Sequence, residues 1–296
     1  MKFIVEPQEH GLTLFAFLKS KCKEGFSANG IKRAIEGKSC RINNRVEFFS
    51  SYKVMEGDQI EIVLELQITT FFTVPILFED EYFAIVNKPS GLLSQDDVFT
   101  KALGPKAKNW HLVHRLDKET SGLIVLAKTP QAEESAKSLF SKRDIQKIYL
   151  AIVEGKVKDK EGVIDNHLGR KGGYQGQTLY GEVKTGGLRA ITHYRCLGHG
   201  NGSSLLTCDL KTGRTHQIRV HFSEKGHPLL GDYQYAKKTF KCAFSPDRHL
   251  LHAWKLSFVH PFTQEKIELK AEIPLDFQRA LEALFLSSLC KSLNEK

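Results

Sequence analysis

Apolar and polar residues alternate differently in the first fifth of the chain and in the rest. In residues 1–66, apolar positions at helical spacing predict a first helix around residues 12–18 and a second over 30–36. Two short strands around the Asn43-Asn44 turn follow, and alternation predicts a further strand over 60–64. This pattern predicts a small N-terminal α/β module.

From residue 76 onward, strands dominate the pattern, and we predict an α+β domain with a mixed, largely antiparallel sheet and flanking helices over 76–296. Residues 67–75 are the predicted linker. The glycine-rich stretch 169–187 is interpreted as a mobile loop or an extended hairpin. Strands are predicted at 84–87, 123–127 and 148–153, and helices at 130–140 and 275–289.

Charge changes this picture by pointing to a partner. The chain of 296 residues has 43 basic and 34 acidic residues, a net charge of +9 and a pI near 9.1. An excess of this size favours an anionic partner, and nucleic acid is the commonest one. A basic enzyme that does not bind nucleic acid is the alternative.

Cysteine usage and hydropathy indicate the compartment. None of the six cysteines forms a C-x-x-C pair, which fits reduced thiols better than a disulfide framework. The N-terminus has no apolar signal core, and no apolar run is long enough for a bilayer span. We therefore expect a cytoplasmic protein without a membrane role. The sequence has no P-loop, H-E-x-x-H or zinc-type spacing, so we expect neither cofactor nor metal.

The stretch His-Arg-Leu-Asp-Lys-Glu-Thr-Ser-Gly at 114–122 places charges and hydroxyls directly before a strand of the buried type. Asp117 stands between Arg115 and Lys118, and opposite charges favour the ionised carboxylate. A charged surface turn is the alternative interpretation.

A second polar stretch, residues 210–219, contains a Thr-Gly turn followed by Arg214 and Arg219. If 218–220 is a strand, Arg219 faces away from its apolar neighbours, and a buried Arg219 needs an anion such as Asp117. A solvated basic strand is the alternative. Tyr149 alternates with apolar residues and can stack on a base, although a lone tyrosine on a strand is more often part of the core.

The first 66 residues resemble the S4 RNA-binding domain in the segments 31–35, 41–46 and 57–60. The resemblance implies that basic residues on the second helix and the hairpin meet phosphates. A solvated basic face on a small module is the alternative. The residues assigned to RNA binding here are Lys32, Arg33, Arg41 and Arg45.

Five motifs occur in order along the chain: N-K-P-S-G at 87–91, H-R-L-D-x-x-T-S-G at 114–122, K-x-Y at 147–149, T-G-R-T-H-Q-I-R at 212–219 and H-P-L-L-G-D at 227–232. Together they resemble the RluA family of pseudouridine synthases. The resemblance implies that Asp117 is the catalytic aspartate, that Tyr149 stacks on the target uracil, and that Arg219 pairs with the aspartate. It also implies that Arg115 enters the space left by a flipped nucleotide, and we assign Arg214 to RNA binding as well.

The predicted function is isomerisation of uridine to pseudouridine in structured RNA by a monomer, with ribosomal RNA of the large subunit favoured over transfer RNA. The reaction needs no cofactor. One alternative is a nucleoside or glycoside hydrolase, which usually needs a second carboxylate such as Glu119. The other alternative is a non-catalytic RNA-binding or ribosome-assembly protein, which the basic charge suits equally well.

Overall fold

A computed structural model describes residues 1–22, 28–36, 39–63, 73–174, 177–236, 242 and 244–291, and only the backbone of 29, 33, 174, 177, 290 and 291. The chain divides into two compact units, Met1–Phe71 and Phe72–Lys296. The predictions for the Arg33 side chain, for Leu64 and for linker residues 67–72 lie outside the described residues. The assignment of the first unit to the S4 type stays a prediction.

The first unit pairs two helices with a small antiparallel sheet in the order β1-β4-β2-β3. Asn43 and Asn44 both have left-handed φ angles, of 50° and 67°, which a tight two-residue hairpin turn requires. The Asp58 carboxylate accepts from the Asn43 side chain and from the Met55 backbone, both at 2.8 Å. The elements are β1 Lys2–Ile4, α1 Leu14–Lys21, α2 Ala28–Glu36, β2 Cys40–Ile42, β3 Arg45–Val46 and β4 Gln59–Ile62.

In the described part of the second unit, an eleven-stranded sheet is antiparallel except where β14 pairs with β8. Its order is β11-β10-β12-β13-β9-β14-β8-β6-β5, with β15 beside β14 and β7 beside β8. The strands are β5 Ile76–Glu79, β6 Phe83–Lys88, β7 His111–Leu112, β8 Ser121–Ala127, β9 Ile145–Glu154, β10 Glu161–Tyr174, β11 Gln177–Glu182, β12 Leu188–Gly200, β13 Ser203–Leu210, β14 Leu251–Val259 and β15 Lys266–Lys270.

Helices cover both faces of this sheet, which explains why all seven residues of β8 are buried. On one face, α3 packs Phe99 into the cluster that contains Tyr149. On the opposite face, α4 packs Ala136 beside Val125, and α6 packs Phe277 beside Leu150. The helices are α3 Asp96–Leu103, α4 Pro130–Lys142, α5 Gln217–Glu224, α6 Leu275–Ala283 and α7 Ser287–Lys291. The predicted α+β class is confirmed.

Two sequence predictions change in detail, and one open alternative is decided. The conditional strand at 218–220 is wrong, because Gln217–Glu224 is a helix. Residues 217–223 are all buried, so the helix has no polar face. The sequence therefore lacks the 3.6-residue alternation of apolar and polar positions that predicts a helix. The single helix predicted over 275–289 is two helices, interrupted where Phe285 takes a left-handed φ of 57°. The glycine-rich stretch is the extended hairpin β10–β11 rather than a loop.

Gly122 lies where β8 begins its parallel pairing with β14, opposite Ala253. Its φ is +113°, and a Cβ there would lie 2.2 Å from the Ala253 carbonyl oxygen. The close approach of two strands therefore excludes any side chain at this position, the last of the 114–122 motif.

We predict that Gly122→Ala lowers the free energy of unfolding by about 2 kcal/mol or more, because backbone strain and overlap add. Gly226→Ala is the matched control, since Gly226 also has a positive φ of +82° but nothing within 4 Å of its added Cβ. The control should lose only about 1 kcal/mol. Urea unfolding of both variants measures the difference, and equal losses would contradict the close-approach argument.

Candidate active site

The backbone of the 114–120 loop, between β7 and β8, is anchored by a buried ammonium. Lys88 at the end of β6 is 0% exposed and donates to the carbonyls of Pro89, Leu92 and Lys118, each at 2.9 Å. Burial lowers the pKa of Lys88 to about 7. The three carbonyl acceptors favour the charged ammonium, because they accept hydrogen bonds from all three of its N–H donors. Lys88 thereby ties two turns together next to Asp117.

Two further side chains fix the same loop. The Ser94 hydroxyl donates to the Leu116 carbonyl at 2.7 Å and accepts from the Leu116 backbone N–H at 3.2 Å. Buried Arg248 donates to the Glu119 carbonyl at 2.8 Å. Carbonyls on both sides of Asp117 are thus held by side chains, so the loop has a defined backbone.

The Asp117 side chain is 25% exposed and meets two nitrogen groups. Its Oδ2 accepts from Arg219 Nη1 at 3.1 Å, and its Oδ1 lies 3.7 Å from His216 Nε2. The contact expected between Asp117 and Arg219 is therefore present, and the carboxylate stays open on one side.

Arg219, on the first turn of α5, is shared between two carboxylates. Its Nε and Nη2 donate to the two oxygens of buried Asp232 at 2.7 and 2.9 Å, and Nη2 also donates to Gln234 at 2.7 Å. The guanidinium lies 4.9 Å from the centre of the Tyr235 ring. Burial disfavours the charged form, but Asp232 and Asp117 more than offset it, so the pKa of Arg219 lies above its usual value. The cation is thus fixed mainly by Asp232, which leaves one guanidinium nitrogen to face Asp117.

His216 precedes α5 in a left-handed conformation with φ of 56°. Its Nδ1 lies 2.7 Å from the Tyr235 hydroxyl, which accepts from the Tyr180 backbone N–H at 3.1 Å. Burial lowers the pKa of His216, which favours the neutral ring. Because Nε2 faces the carboxylate of Asp117, an acceptor, we assign the proton of the neutral ring to Nε2, so that Nδ1 accepts from the Tyr235 hydroxyl.

Tyr149, in the middle of β9, is 7% exposed. Burial, with the Asp117 charge as a smaller contribution, raises the pKa of Tyr149, so its hydroxyl stays protonated. Among the described residues, none forms a hydrogen bond with this hydroxyl. An aromatic ring and a free hydroxyl therefore lie beside the carboxylate.

The other predicted site residues are spread over both units. Arg115 is exposed on the motif loop. Arg214 is half-buried, and its Nε donates to the Arg189 carbonyl at 3.1 Å. Lys32, Arg41 and Arg45 are exposed in the first unit, and Lys32 lies 3.8 Å from Glu36.

Sequence reasoning missed three participants: Asp232, His216 and Tyr235. The first two lie inside the motifs at 227–232 and 212–219, in which sequence analysis assigned roles only to Arg214 and Arg219. An aspartate directly after a turn glycine, in a chain with an arginine of unknown partner, was the available signal for Asp232. No local pattern marks Tyr235.

Within the described residues, no group of three or more His, Cys, Asp or Glu side chains is arranged to hold a metal ion. A search of the same part of the chain finds no helix with the length and apolar character needed to cross a membrane.

Comparisons with known proteins agree with this geometry. The family model described as RNA pseudouridylate synthase matches residues 82–224. The ribosomal large subunit pseudouridine synthase D of Haemophilus influenzae is 34% identical over 310 residues, which cover 95% of this chain and 93% of that protein. The Nitrosomonas europaea protein of the same name is 36% identical over 71% of this chain, a match that spans 64% of that protein, just under two thirds.

A solved structure has the same architecture. Human RNA pseudouridylate synthase domain containing 1 superposes with a TM-score of 0.63 and 27% identity, over 77% of this chain and 97% of the human chain. The chain belongs to the RNA pseudouridylate synthase family, as its five ordered motifs predicted.

Proposed function

We propose that this pseudouridine synthase isomerises uridines in the RNA of the large ribosomal subunit and that Asp117 is its catalytic carboxylate. The observation that carries the proposal is the pair between Asp117 and Arg219 at 3.1 Å, on a loop whose carbonyls are held by Lys88 and Arg248. The relatives named for the large subunit support the choice of RNA.

The reaction breaks the bond between N1 of uracil and C1′ of the ribose, turns the base, and joins C5 to C1′. A proton leaves C5 and N1 gains one, so the change is an isomerisation without an external reactant. An ionised carboxylate can serve by attacking the sugar or by removing a sugar proton. Arg219 can hold the Asp117 carboxylate in position for either route, because Asp232 already fixes the guanidinium.

The target base must leave the RNA stack before it reaches Asp117. We assign Tyr149 to stacking on the uracil, since it lies beside the carboxylate, and exposed Arg115 to the gap left in the RNA. The hydrolase alternative lacks support in this geometry. Glu119 pairs with Lys118 at 3.8 Å, and Asp232 is engaged by Arg219.

The first unit is proposed to be the S4-like RNA-binding module. Exposed Lys32, Arg41 and Arg45 supply positive charge on the surface of this unit. A ribosomal substrate would place the protein in the cytoplasm, and we propose that it acts there as a monomer.

The test of the target is pseudouridine mapping of total RNA from cells with and without this gene. Loss of one or more pseudouridines from the large-subunit RNA is expected. Loss confined to transfer RNA would overturn the ribosomal assignment, and no loss in any RNA would overturn the activity.

We predict that Asp117→Asn lowers turnover by about 10,000-fold, since an amide can neither attack the sugar nor remove a proton as a carboxylate does. The substitution keeps the size of the side chain, and Arg219 keeps Asp232, so folding and RNA binding should be unchanged. Turnover is measured on purified protein with RNA from the deletion cells, and binding by fluorescence anisotropy. Turnover near the wild-type value would contradict the assignment.

A second prediction concerns the orientation of His216. Tyr235→Phe keeps the ring beside Arg219 but removes the hydroxyl that donates to His216, so turnover should fall by roughly 3- to 10-fold, the worth of one hydrogen bond. If the two residues act together, the double variant of Tyr235→Phe with His216→Gln loses no more turnover than His216→Gln alone. If the loss of turnover in the double variant equals the product of the two single losses, the residues act independently.

A further inference from the structure

A basic pocket lies at the start of β9, where β13 leads into the turn before α5. Its volume is about 410 Å³, within the range of small-ligand sites. The walls come from the end of α4 and the start of β9 on one side, and from residues 209–214 on the other. Four cations line it: Arg143, Lys147, Lys211 and Arg214.

One acidic residue shares the pocket and neutralises one of these cations. Asp209 accepts from Lys211 at 2.7 Å and from the Gln146 side chain at 3.3 Å, through the same oxygen. Arg143, Lys147 and Arg214 remain without a carboxylate partner among the described residues, so the lining keeps a positive charge. The pocket is therefore suited to an anion.

Lys147 is the most informative of these residues. Its ammonium lies 5.3 Å from the centre of the Phe140 ring and 3.9 Å from where a Cβ on Gly213 would be. No described residue accepts a hydrogen bond from it. Burial lowers the pKa of Lys147, an effect that Asp209 opposes and that a bound anion would also oppose. A half-buried ammonium with three unused donors indicates a ligand with acceptor oxygens.

The pocket is continuous with the active site along two elements. Lys147 is two residues before Tyr149 on β9, so the two backbone positions are roughly 7 Å apart. The turn that closes the pocket at Arg214 continues directly into His216 and Arg219. An RNA strand that presents its base to Tyr149 would therefore pass this pocket with its backbone.

We propose that the pocket formed by Arg143, Lys147 and Arg214 is a phosphate subsite that holds the RNA backbone beside the flipped uridine. The proposal rests on the proposed function, and it names the group that anchors the strand while the base enters the site. Phosphate contacts position a nucleic acid without reading its sequence, so this subsite sets the register of the strand rather than the choice of target.

The test uses synthetic RNA stem-loops that contain a uridine identified by the mapping experiment. In each RNA, one phosphate near that uridine is replaced by an uncharged methylphosphonate. Lys147→Met keeps the aliphatic stem on Phe140 and removes the charge, and Arg143→Asn removes an exposed charge at a left-handed position that asparagine tolerates. The matched control is Lys142→Gln, which removes a charge from the exposed neighbour of Arg143 outside the pocket lining.

We expect Lys147→Met to raise KM for the unmodified RNA by roughly 10-fold, with a smaller effect on kcat, and to reduce the salt slope of binding by about one. Arg143→Asn should act in the same direction, and Lys142→Gln should change KM by less than about 2-fold. One of the methylphosphonate substitutions should raise KM for the wild-type protein by a similar factor. The same substitution should not raise KM further for Lys147→Met.

Equal effects of Lys147→Met and Lys142→Gln on KM and salt slope would overturn the subsite. So would methylphosphonate penalties that are the same in wild type and Lys147→Met at every position. Thermal melting of each variant identifies a folding defect, and Arg143→Asn keeps the test open if Lys147→Met unfolds. If the wild-type protein binds the RNA without forming pseudouridine, the proposed function fails. The salt slope of binding and the methylphosphonate penalties on binding then still show whether the pocket holds a phosphate.

Discussion

The sharing of one buried guanidinium between two carboxylates is the interaction on which the rest of this site depends. Asp232 accepts hydrogen bonds from two nitrogens of Arg219 in a bidentate arrangement, and Asp117 accepts one from the third nitrogen. A buried arginine without such partners would be strongly destabilising, and Asp232 supplies the counter-charge that it needs. Asp117 is therefore not required to neutralise the arginine. It can change its interactions during a reaction without leaving a buried cation unpaired, because Asp232 keeps the cation satisfied.

This division of roles requires a rigid loop around Asp117, since a carboxylate on a mobile turn would not stay aligned with Arg219. The loop gains its rigidity from side chains that donate to its carbonyls, chiefly Lys88, Ser94 and Arg248. Each of these donors is buried and comes from a different part of the unit. The N-K-P-S-G and H-R-L-D motifs, separated by more than twenty residues, are thus one structural assembly joined by the Lys88 ammonium.

The sequence predicted those parts of the fold whose hydrophobic pattern is strong and local. Leu123–Leu126 in β8 and the helix that begins at Pro130 are examples, because an apolar run and an N-terminal proline mark them directly. Helix α5 was not predicted, since its faces are all buried and the alternation of Ile218 and Val220 imitates a strand. The contact between Asp117 and Arg219 was expected because an arginine among apolar residues needs an anion and because the family resemblance pairs the two residues. The glycine before Asp232 marks a turn, but no local pattern shows that this turn brings Asp232 to Arg219.

The hairpin β10–β11 is connected to the carboxylate through hydrogen bonds rather than through packing alone. The Tyr180 backbone N–H donates to Tyr235, whose hydroxyl orients His216 toward Asp117. The ring of Tyr180 also meets the His216 ring edge to face, with centroids 5.8 Å apart. A displacement of this hairpin would therefore alter both the tautomer and the position of the imidazole that faces Asp117. Because the hairpin lies at the edge of the sheet, a large ligand that presses on it would act on the Asp117 carboxylate without touching it.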